Sequence, residues 1–126
     1  MSTVMVVDDT DVHRETLARL IRRAGYNTVT AEDGNKALHM LRDEHQKPDL
    51  IVLDVMLPSI DGLDLLEMLH DNPQWRSLPV VMLTGCSDTH CIQRAMRLGA
   101  KRYMIKAAFS VGELLECVRE YAGPGQ

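Results

Sequence analysis

The stretch Pro48-Asp49-Leu50-Ile51-Val52-Leu53-Asp54 contains the pattern that decides the fold. Its four consecutive large apolar residues, bounded by turn-forming residues, are typical of a strand buried on both faces of a parallel sheet. The strand ends at the carboxylate of Asp54, and the chain then enters a loop that contains Pro58 and Asp61-Gly62. A buried carboxylate without a partner is costly, so Asp54 needs a cation, a proton or a hydrogen-bond donor. Asp54 is therefore either a strand-end residue that caps a turn or a chemically active group.

Four other apolar or β-rich runs predict further strands, and each is followed by apolar residues at helical spacing. The predicted strands are Val4-Met5-Val6-Val7, Tyr26 to Ala31, Pro79 to Thr84, and Tyr103-Met104-Ile105-Lys106. The first predicted helix runs from about Thr10 to Gly25. The second has Ala37, Leu38 and Leu41 on one face and ends at about His45. The third contains Leu65, Leu66 and Leu69 and ends at Asn72-Pro73. The fourth starts at a Ser87 cap, turns Cys91, Ile92, Ala95 and Met96 inward and ends at Gly99. The fifth starts at a Ser110–Glu113 capping box and carries an apolar stripe of Val111, Leu114, Leu115 and Val118.

Strict alternation of five strands and five helices predicts an α/β fold. It is a doubly wound (βα)5 sandwich, in which a five-stranded parallel sheet has helices on both faces. A chain of 126 residues is long enough for one domain with a single core. We expect that core to span about residues 3–121, followed by a flexible tail over residues 122–126.

Reactive side chains follow four of the five predicted strands. Asp8-Asp9, Asp54, Thr84 and Lys106 stand at these ends. In open parallel sheets the functional crevice lies at the carboxyl ends of the strands. Three neighbouring carboxylates repel one another, and Mg²⁺ held by oxygen ligands relieves that repulsion. Asp8 and Asp9 would bind the metal, and Asp54 could use one oxygen for the metal and the other to attack phosphorus.

Composition excludes several other classes of function. The net charge of -4 argues against nucleic acid as the main partner, and no apolar run is long enough to span a membrane. Three cysteines without framework spacing suggest a reducing cytoplasm and no disulfides. Cys86, His90 and Cys91 suggest zinc, but a structural zinc site needs four ligands. Small core cysteines are the simpler interpretation.

The whole chain resembles the receiver domains of two-component response regulators, in particular single-domain chemotaxis regulators. The resemblance rests on Val6-Val7-Asp8-Asp9, Leu53-Asp54 with Pro58 and Asp61-Gly62, Leu83-Thr84-Gly85, Leu98-Gly99-Ala100 and Tyr103-Met104-Ile105-Lys106, in this order over about residues 3–121. It implies a flavodoxin-like strand order of 2-1-3-4-5. It also implies a phosphorylation-dependent switch, not an enzyme acting on other molecules.

The resemblance implies a role for each site residue. Asp54 would accept a phosphoryl group from a histidine kinase or a histidine phosphotransfer protein, assisted by Thr84 and Lys106. Asp8, Asp9, Asp54 and the Met56 backbone carbonyl would hold Mg²⁺. Thr84 and Tyr103 would form the switch pair, in which the hydroxyl moves toward the phosphoryl group and the ring turns inward.

Two further expectations concern output and signal lifetime. The fourth helix, the last strand and the last helix would contact a downstream protein partner, with a basic edge of Arg94, Arg97, Lys101 and Arg102, unless that edge is only a solvated charged face. By similarity to the family, Met56 and Cys86 stand where side chains position the hydrolytic water. Neither thioether nor thiol orients water well, so we expect a long-lived phosphorylated state.

The sequence departs from the family in three places. Ala107 replaces the usual proline after the lysine, Lys101-Arg102 replaces an acidic pair, and Thr10 follows Asp8-Asp9 in place of an acid. A cis bond without proline costs roughly 3 kcal/mol, which favours a trans Lys106–Ala107 bond, and the sequence alone leaves both forms open. Two alternatives stay open: a receiver-like interaction module without phosphotransfer, and a phosphatase of the haloacid dehalogenase type. The phosphatase needs a second Asp where Met56 stands.

Overall fold

The computed structural model describes residues 1–126 and contains five strands and five α-helices in alternation. The strands are β1 (Thr3–Val7), β2 (Asn27–Ala31), β3 (Leu50–Leu53), β4 (Val80–Thr84) and β5 (Arg102–Ile105). The helices are α1 (Asp11–Arg23), α2 (Gly34–Leu41), α3 (Gly62–Asp71), α4 (Thr89–Arg97) and α5 (Val111–Ala122). A short 3-10 helix, Glu44–Gln46, follows α2. None of these helices combines the length and apolar character needed to cross a bilayer.

The strands form one parallel sheet in the order β2-β1-β3-β4-β5, which confirms the predicted fold class and strand order. Val7 of β1 is in register with Leu53 of β3, so the residues that follow them, Asp8 and Asp54, leave the sheet side by side. Thr84 of β4 is in register with Ile105 of β5. The carboxyl ends of these four strands therefore meet at one edge of the sheet.

The core has two halves, one on each face of the sheet, because successive strand residues point to opposite faces. Met5, Leu53 and Met82 pack on one face against α2, α3 and Ala95 of α4. Val6, Val52 and Leu83 pack on the other face against α1 and α5. All four residues of β3 are buried, as expected for a central strand covered on both sides.

Two helix boundaries differ from the prediction. The cap of α4 is Asp88, whose side chain accepts a hydrogen bond from the His90 backbone N–H, and not Ser87. Both residue types are good caps, so pattern alone does not place the start of the helix. The α2 helix ends at Leu41, short of His45, because Asp43 caps the separate 3-10 helix by accepting from the His45 N–H.

Two predicted core residues are exposed. Met96 in α4 is 47% exposed, because the helix faces the sheet through Ala95 and each helical residue is rotated by about 100° from the last. Val111 is 45% exposed at the first turn of α5, while Leu115 is half-buried. The buried stripe of α5 is instead Leu114, Cys117, Val118 and Ala122. The predicted Ser110 cap is confirmed, since its Oγ accepts from Glu113 N at 3.1 Å.

Candidate functional site

The candidate site is held by backbone hydrogen bonds at the carboxyl edge of the sheet. Asp54 N donates to Val7 O at 3.0 Å, so the acid is fixed to the neighbouring strand. Asp8 N donates to Ala31 O at 3.1 Å and Lys106 N donates to Thr84 O at 2.8 Å. Each functional side chain therefore starts from a backbone position that the sheet defines, which is the rigid support that a precise site needs.

Asp54 is a buried carboxylate, only 3% exposed, with both oxygens engaged. Its Oδ1 accepts from the Met56 backbone N–H at 3.1 Å, and its Oδ2 lies 2.7 Å from Lys106 Nζ. The hydrogen bond to Met56 fixes the orientation of the carboxylate. The loop thus orients one oxygen, and the other faces the Lys106 ammonium group.

Asp8 is 1% exposed and binds more groups than Asp54. Its Oδ1 accepts from Thr10 N at 2.9 Å, while its Oδ2 lies 2.8 Å from His13 Nδ1 and 3.0 Å from Lys106 Nζ. Arg14 adds a hydrogen bond of 2.9 Å to the Asp8 carbonyl oxygen. The sequence pattern did not predict that His13 and Arg14 would contact Asp8. The one indication was their position in the first turn of the helix that follows Asp8.

Lys106 joins the two buried carboxylates, with its side chain 23% exposed. Burial alone would lower the pKa of Lys106, but the hydrogen bonds to Asp54 and Asp8 outweigh it and raise the pKa above the ordinary value. The ammonium group therefore stays charged and compensates two buried negative charges. No peptide bond is cis, so the Lys106–Ala107 bond, which the sequence left open, is trans.

Asp8, Asp9 and Asp54 form a cluster that fits a divalent metal ion. One ligand atom from each lies within 4.8 Å of the other two, and Asp9 is exposed at the mouth of the cluster. Carboxylate oxygens are the ligands that Mg²⁺ prefers. The Met56 carbonyl oxygen accepts no hydrogen bond from the protein and is free to act as a fourth oxygen ligand.

Gly62 closes the β3–α3 loop directly against the site. A Cβ atom built on Gly62 would lie 2.0 Å from Asp54 O and 2.7 Å from Val55 Cα, which are backbone atoms that cannot move aside. Gly62 N donates to Val55 O at 2.7 Å and fixes this close approach. The loop leaves Met56, two residues after Asp54, 63% exposed.

Cys86 connects the two predicted switch residues. Its backbone N–H donates to Thr84 Oγ1 at 3.2 Å, and its carbonyl oxygen accepts from Tyr103 Oη at 2.7 Å. Thr84 is fully buried, and burial together with the nearby Cys86 raises the pKa of Tyr103. Gly85 has open space beside it, since nothing lies within 4 Å of a Cβ built there.

The predicted basic edge is partly neutralised by ion pairs. Arg94 binds Asp64 and Glu67 of α3, each at 3.0 Å, and Arg102 binds Glu120 of α5 at 2.7 Å. Arg97 and Lys101 are exposed and form no ion pair. The free positive charge on this face is therefore carried by two residues, not four.

Comparison with known proteins identifies the family. The model for the response regulator receiver domain matches residues 4–119. This chain belongs to that family. The match covers all five strands except Thr3 and includes every predicted site residue, so the phosphatase interpretation is set aside.

The receiver is similar to relatives and to solved structures over nearly its full length. The polar-differentiation response regulator DivK of Brucella anthropi is 32% identical over 121 residues, 96% of either chain. A response regulator structure from Chloroflexus aurantiacus is 33% identical with a TM-score of 0.87, covering 96% of this chain and 97% of the other. The chemotaxis protein CheY4 of Vibrio cholerae is 27% identical with a TM-score of 0.85, covering 96% and 98%. These likenesses support a phosphorylation-dependent signalling switch.

Proposed function

We propose that this receiver accepts a phosphoryl group on Asp54 from a phosphohistidine of a kinase or phosphotransfer protein. The observation that carries the proposal is the arrangement of Lys106 between the buried carboxylates of Asp54 and Asp8, at 2.7 and 3.0 Å. A buried acid that only capped a turn would not need a shared ammonium group and an acidic neighbour. The arrangement instead provides an oriented nucleophile and a positive charge beside it.

In the reaction, Asp54 Oδ2 forms a bond to phosphorus while the bond between phosphorus and the donor nitrogen breaks. Met56 N holds Oδ1 during this step, and Lys106 transfers its contact from Oδ2 to a phosphoryl oxygen. A Mg²⁺ ion held by Asp8, Asp9, Asp54 and the Met56 carbonyl would neutralise the charge on the phosphoryl oxygens. The open space at Gly85 leaves room for the phosphoryl group.

Signal output follows from the Thr84–Cys86–Tyr103 connection. If the Thr84 hydroxyl turns toward a phosphoryl oxygen, it gives up its contact with Cys86 N. Because Tyr103 Oη binds the carbonyl oxygen of the same residue, movement of Cys86 changes the position of the ring. We infer that the α4–β5–α5 face transmits this change to a protein partner.

Charge reversal at Arg97 and Lys101 should lower the affinity of that partner and the salt dependence of binding.

We also place the protein in the cytoplasm, because its three cysteines are all free thiols in this structure and that compartment is reducing. Kinases and phosphotransfer proteins that supply phosphohistidine act on receivers in the same compartment.

The test is labelling by acetyl phosphate, followed by intact mass. Wild type should gain one phosphoryl group in Mg²⁺ and none in excess EDTA. Asp54→Asn should gain none, because an amide oxygen does not attack phosphorus. Asp71→Asn, which changes an exposed acid at the end of α3, is the matched control and should label normally. Absence of labelling in wild type would favour an interaction module without phosphotransfer.

A further inference from the structure

Cys86 and Cys91 form a close pair of thiols next to the switch residues. Their sulfur atoms lie 3.0 Å apart, and both side chains are half-buried against the core of the α3–α4 side. Cys86 follows β4, and Cys91 lies in the first turns of α4, so four residues separate them. The acidic cluster at Asp8 is the only group of three or more close metal-ligand side chains, so His90 does not complete a zinc site with this pair.

We propose that Cys86 and Cys91 form an intramolecular disulfide when the protein meets a peroxide, and that this bond slows phosphorylation of Asp54. The site is thus a second modification site, separate from the acceptor carboxylate. A disulfide joins sulfurs about 2 Å apart, so the two atoms need to approach by only about 1 Å. The fold has already closed the loop between them, which removes most of the entropic cost of pairing.

The chemistry is a two-electron oxidation of the thiol pair. The Cys86 sulfur gives up its proton and attacks one peroxide oxygen, and the O–O bond breaks. The departing oxygen takes up that proton and leaves as water, and a sulfenic acid remains on Cys86. The Cys91 sulfur then attacks the Cys86 sulfur, the S–O bond breaks, and a second water leaves. In total two thiols lose two protons and two electrons, and one peroxide becomes two waters. A reducing dithiol reverses the modification.

The surroundings of the pair assign a role to each sulfur. The hydrogen bond with Cys86, together with burial, raises the pKa of Cys91 to about 11. Cys91 therefore keeps its proton, and we assign the first attack on the peroxide to Cys86. Cys117 offers an internal comparison. It is 3% exposed on the opposite face of the sheet, and burial raises its pKa to about 11. Cys117 therefore has neither a second thiol beside it nor access to peroxide in solution.

The effect on the switch rests on the proposed function. Cys86 holds Thr84 through its N–H and Tyr103 through its carbonyl oxygen. A disulfide ties Cys86 to the first turns of α4 in a small ring, so its backbone loses the freedom to release either side chain. Phosphorylation needs that release if Thr84 is to bind the phosphoryl group. Oxidised protein should therefore accept the phosphoryl group several-fold more slowly.

The first experiment maps the bond in the whole protein. After treatment with hydrogen peroxide, free thiols are alkylated and the protein is cut with trypsin. The peptide from residues 77–94 contains both cysteines, so the disulfide appears as this peptide lighter by two hydrogens and without alkyl groups. Cys117 should be alkylated, and Cys117→Ser should give the same result. Full alkylation of Cys86 and Cys91 after peroxide, or disulfides between chains only, would overturn the proposal.

The second experiment measures the rate of labelling by acetyl phosphate in Mg²⁺, with and without prior peroxide. Wild type should slow several-fold and recover with a dithiol reductant. Cys91→Ser can form the sulfenic acid on Cys86 but not the disulfide, so it should slow less than wild type. Equal slowing of the two proteins would overturn the role of the disulfide. The same variant controls for oxidation of the exposed Met56. An unchanged rate in protein shown to carry the disulfide would overturn the coupling to the switch. Failure of reduced wild type to label would instead contradict the proposed function, while the peptide map would still decide whether the disulfide forms.

Discussion

Lys106 is the residue whose removal should disturb the site most. Lys106→Met leaves the buried carboxylates of Asp8 and Asp54 without their cation. We expect a loss of about 2 kcal/mol in unfolding free energy in metal-free buffer, less than for a fully buried pair because the lysine side chain is partly exposed. Mg²⁺ should reduce this loss. Lys36→Met, which removes an exposed pair with Glu32, should change stability little. Equal losses in both variants, measured by urea unfolding, would contradict the shared role of Lys106.

The raised pKa of Lys106 also predicts a pH dependence. The folded pKa lies above the unfolded value of about 10.4, so the stabilisation is fully present below that pH. It is lost as pH rises through the folded pKa, because the unfolded chain releases its proton first. The stability difference between wild type and Lys106→Met should therefore shrink in alkaline buffer. A stability difference that grows in alkaline buffer would contradict a raised pKa of Lys106 in the folded protein.

Met56 and Cys86 are expected to set the lifetime of the phosphorylated state. Met56 has an exposed thioether, and the Cys86 thiol contacts Cys91, so neither side chain orients an attacking water well. Replacing Met56 by Asn and Cys86 by Glu should speed hydrolysis by roughly tenfold, the value of one positioned polar contact. Decay of labelled protein measures this. Met68→Asn changes an exposed methionine on α3 and should have no effect. Unchanged or slower decay in the double variant would show that water positioning does not set the lifetime.

The reactive residues at the strand ends could be predicted one by one, whereas their neighbours could not. Asp8, Asp54, Thr84 and Lys106 each stand at the carboxyl end of a strand, and these ends share one edge of a parallel sheet, so the pattern alone brings them together. His13 and Arg14 contact Asp8 only because α1 is oriented about its own axis so that they point toward it. The sequence does not define that orientation accurately enough to predict a hydrogen bond.

At the scale of an element, the β3–α3 loop depends on Gly62. Gly62→Ala places a methyl group against the backbone of Asp54 and Val55, so the loop must move. We expect a loss of about 2 kcal/mol in unfolding free energy and weaker Mg²⁺ binding, since Met56 lies in the same loop. Gly112→Ala is the control. It meets only Ser110 Oγ at 3.9 Å and lies inside α5, so it should stabilise by about 0.5 kcal/mol. Equal behaviour of the two variants would contradict the close approach.

Element boundaries show where patterns stop being informative. Ser87 and Asp88 are both good N-caps, and only the course of the chain after β4 decides between them. Helical spacing from Ile92 predicts a core position for Met96, but Ala95 is the buried residue of α4. Existence and order of the elements followed from apolar periodicity, which depends on many residues. The identity of a capping residue, and of the residues that face the core, depends on only one or two side chains.

For the whole molecule, the alternation of strands and helices gave the parallel sheet, and the resemblance to receivers gave the strand order. The two-sided burial of β3 follows from the same pattern, because four consecutive apolar residues have no polar side to expose. Contacts between distant elements were beyond prediction. The pairing of Arg94 with α3 and of Cys86 with Cys91 depends on helix packing distances that a single sequence does not contain.

If the strand-end cluster makes Asp54 the phosphoryl acceptor, mapping of the labelled residue must find the phosphoryl group there. Protein labelled with acetyl phosphate in Mg²⁺ is reduced with borohydride, which converts an aspartyl phosphate to homoserine, and its peptides are sequenced by mass spectrometry. We predict homoserine at position 54 and unmodified aspartate at Asp8, Asp9 and Asp61. Homoserine at another position, or none at position 54 in labelled protein, would contradict the account.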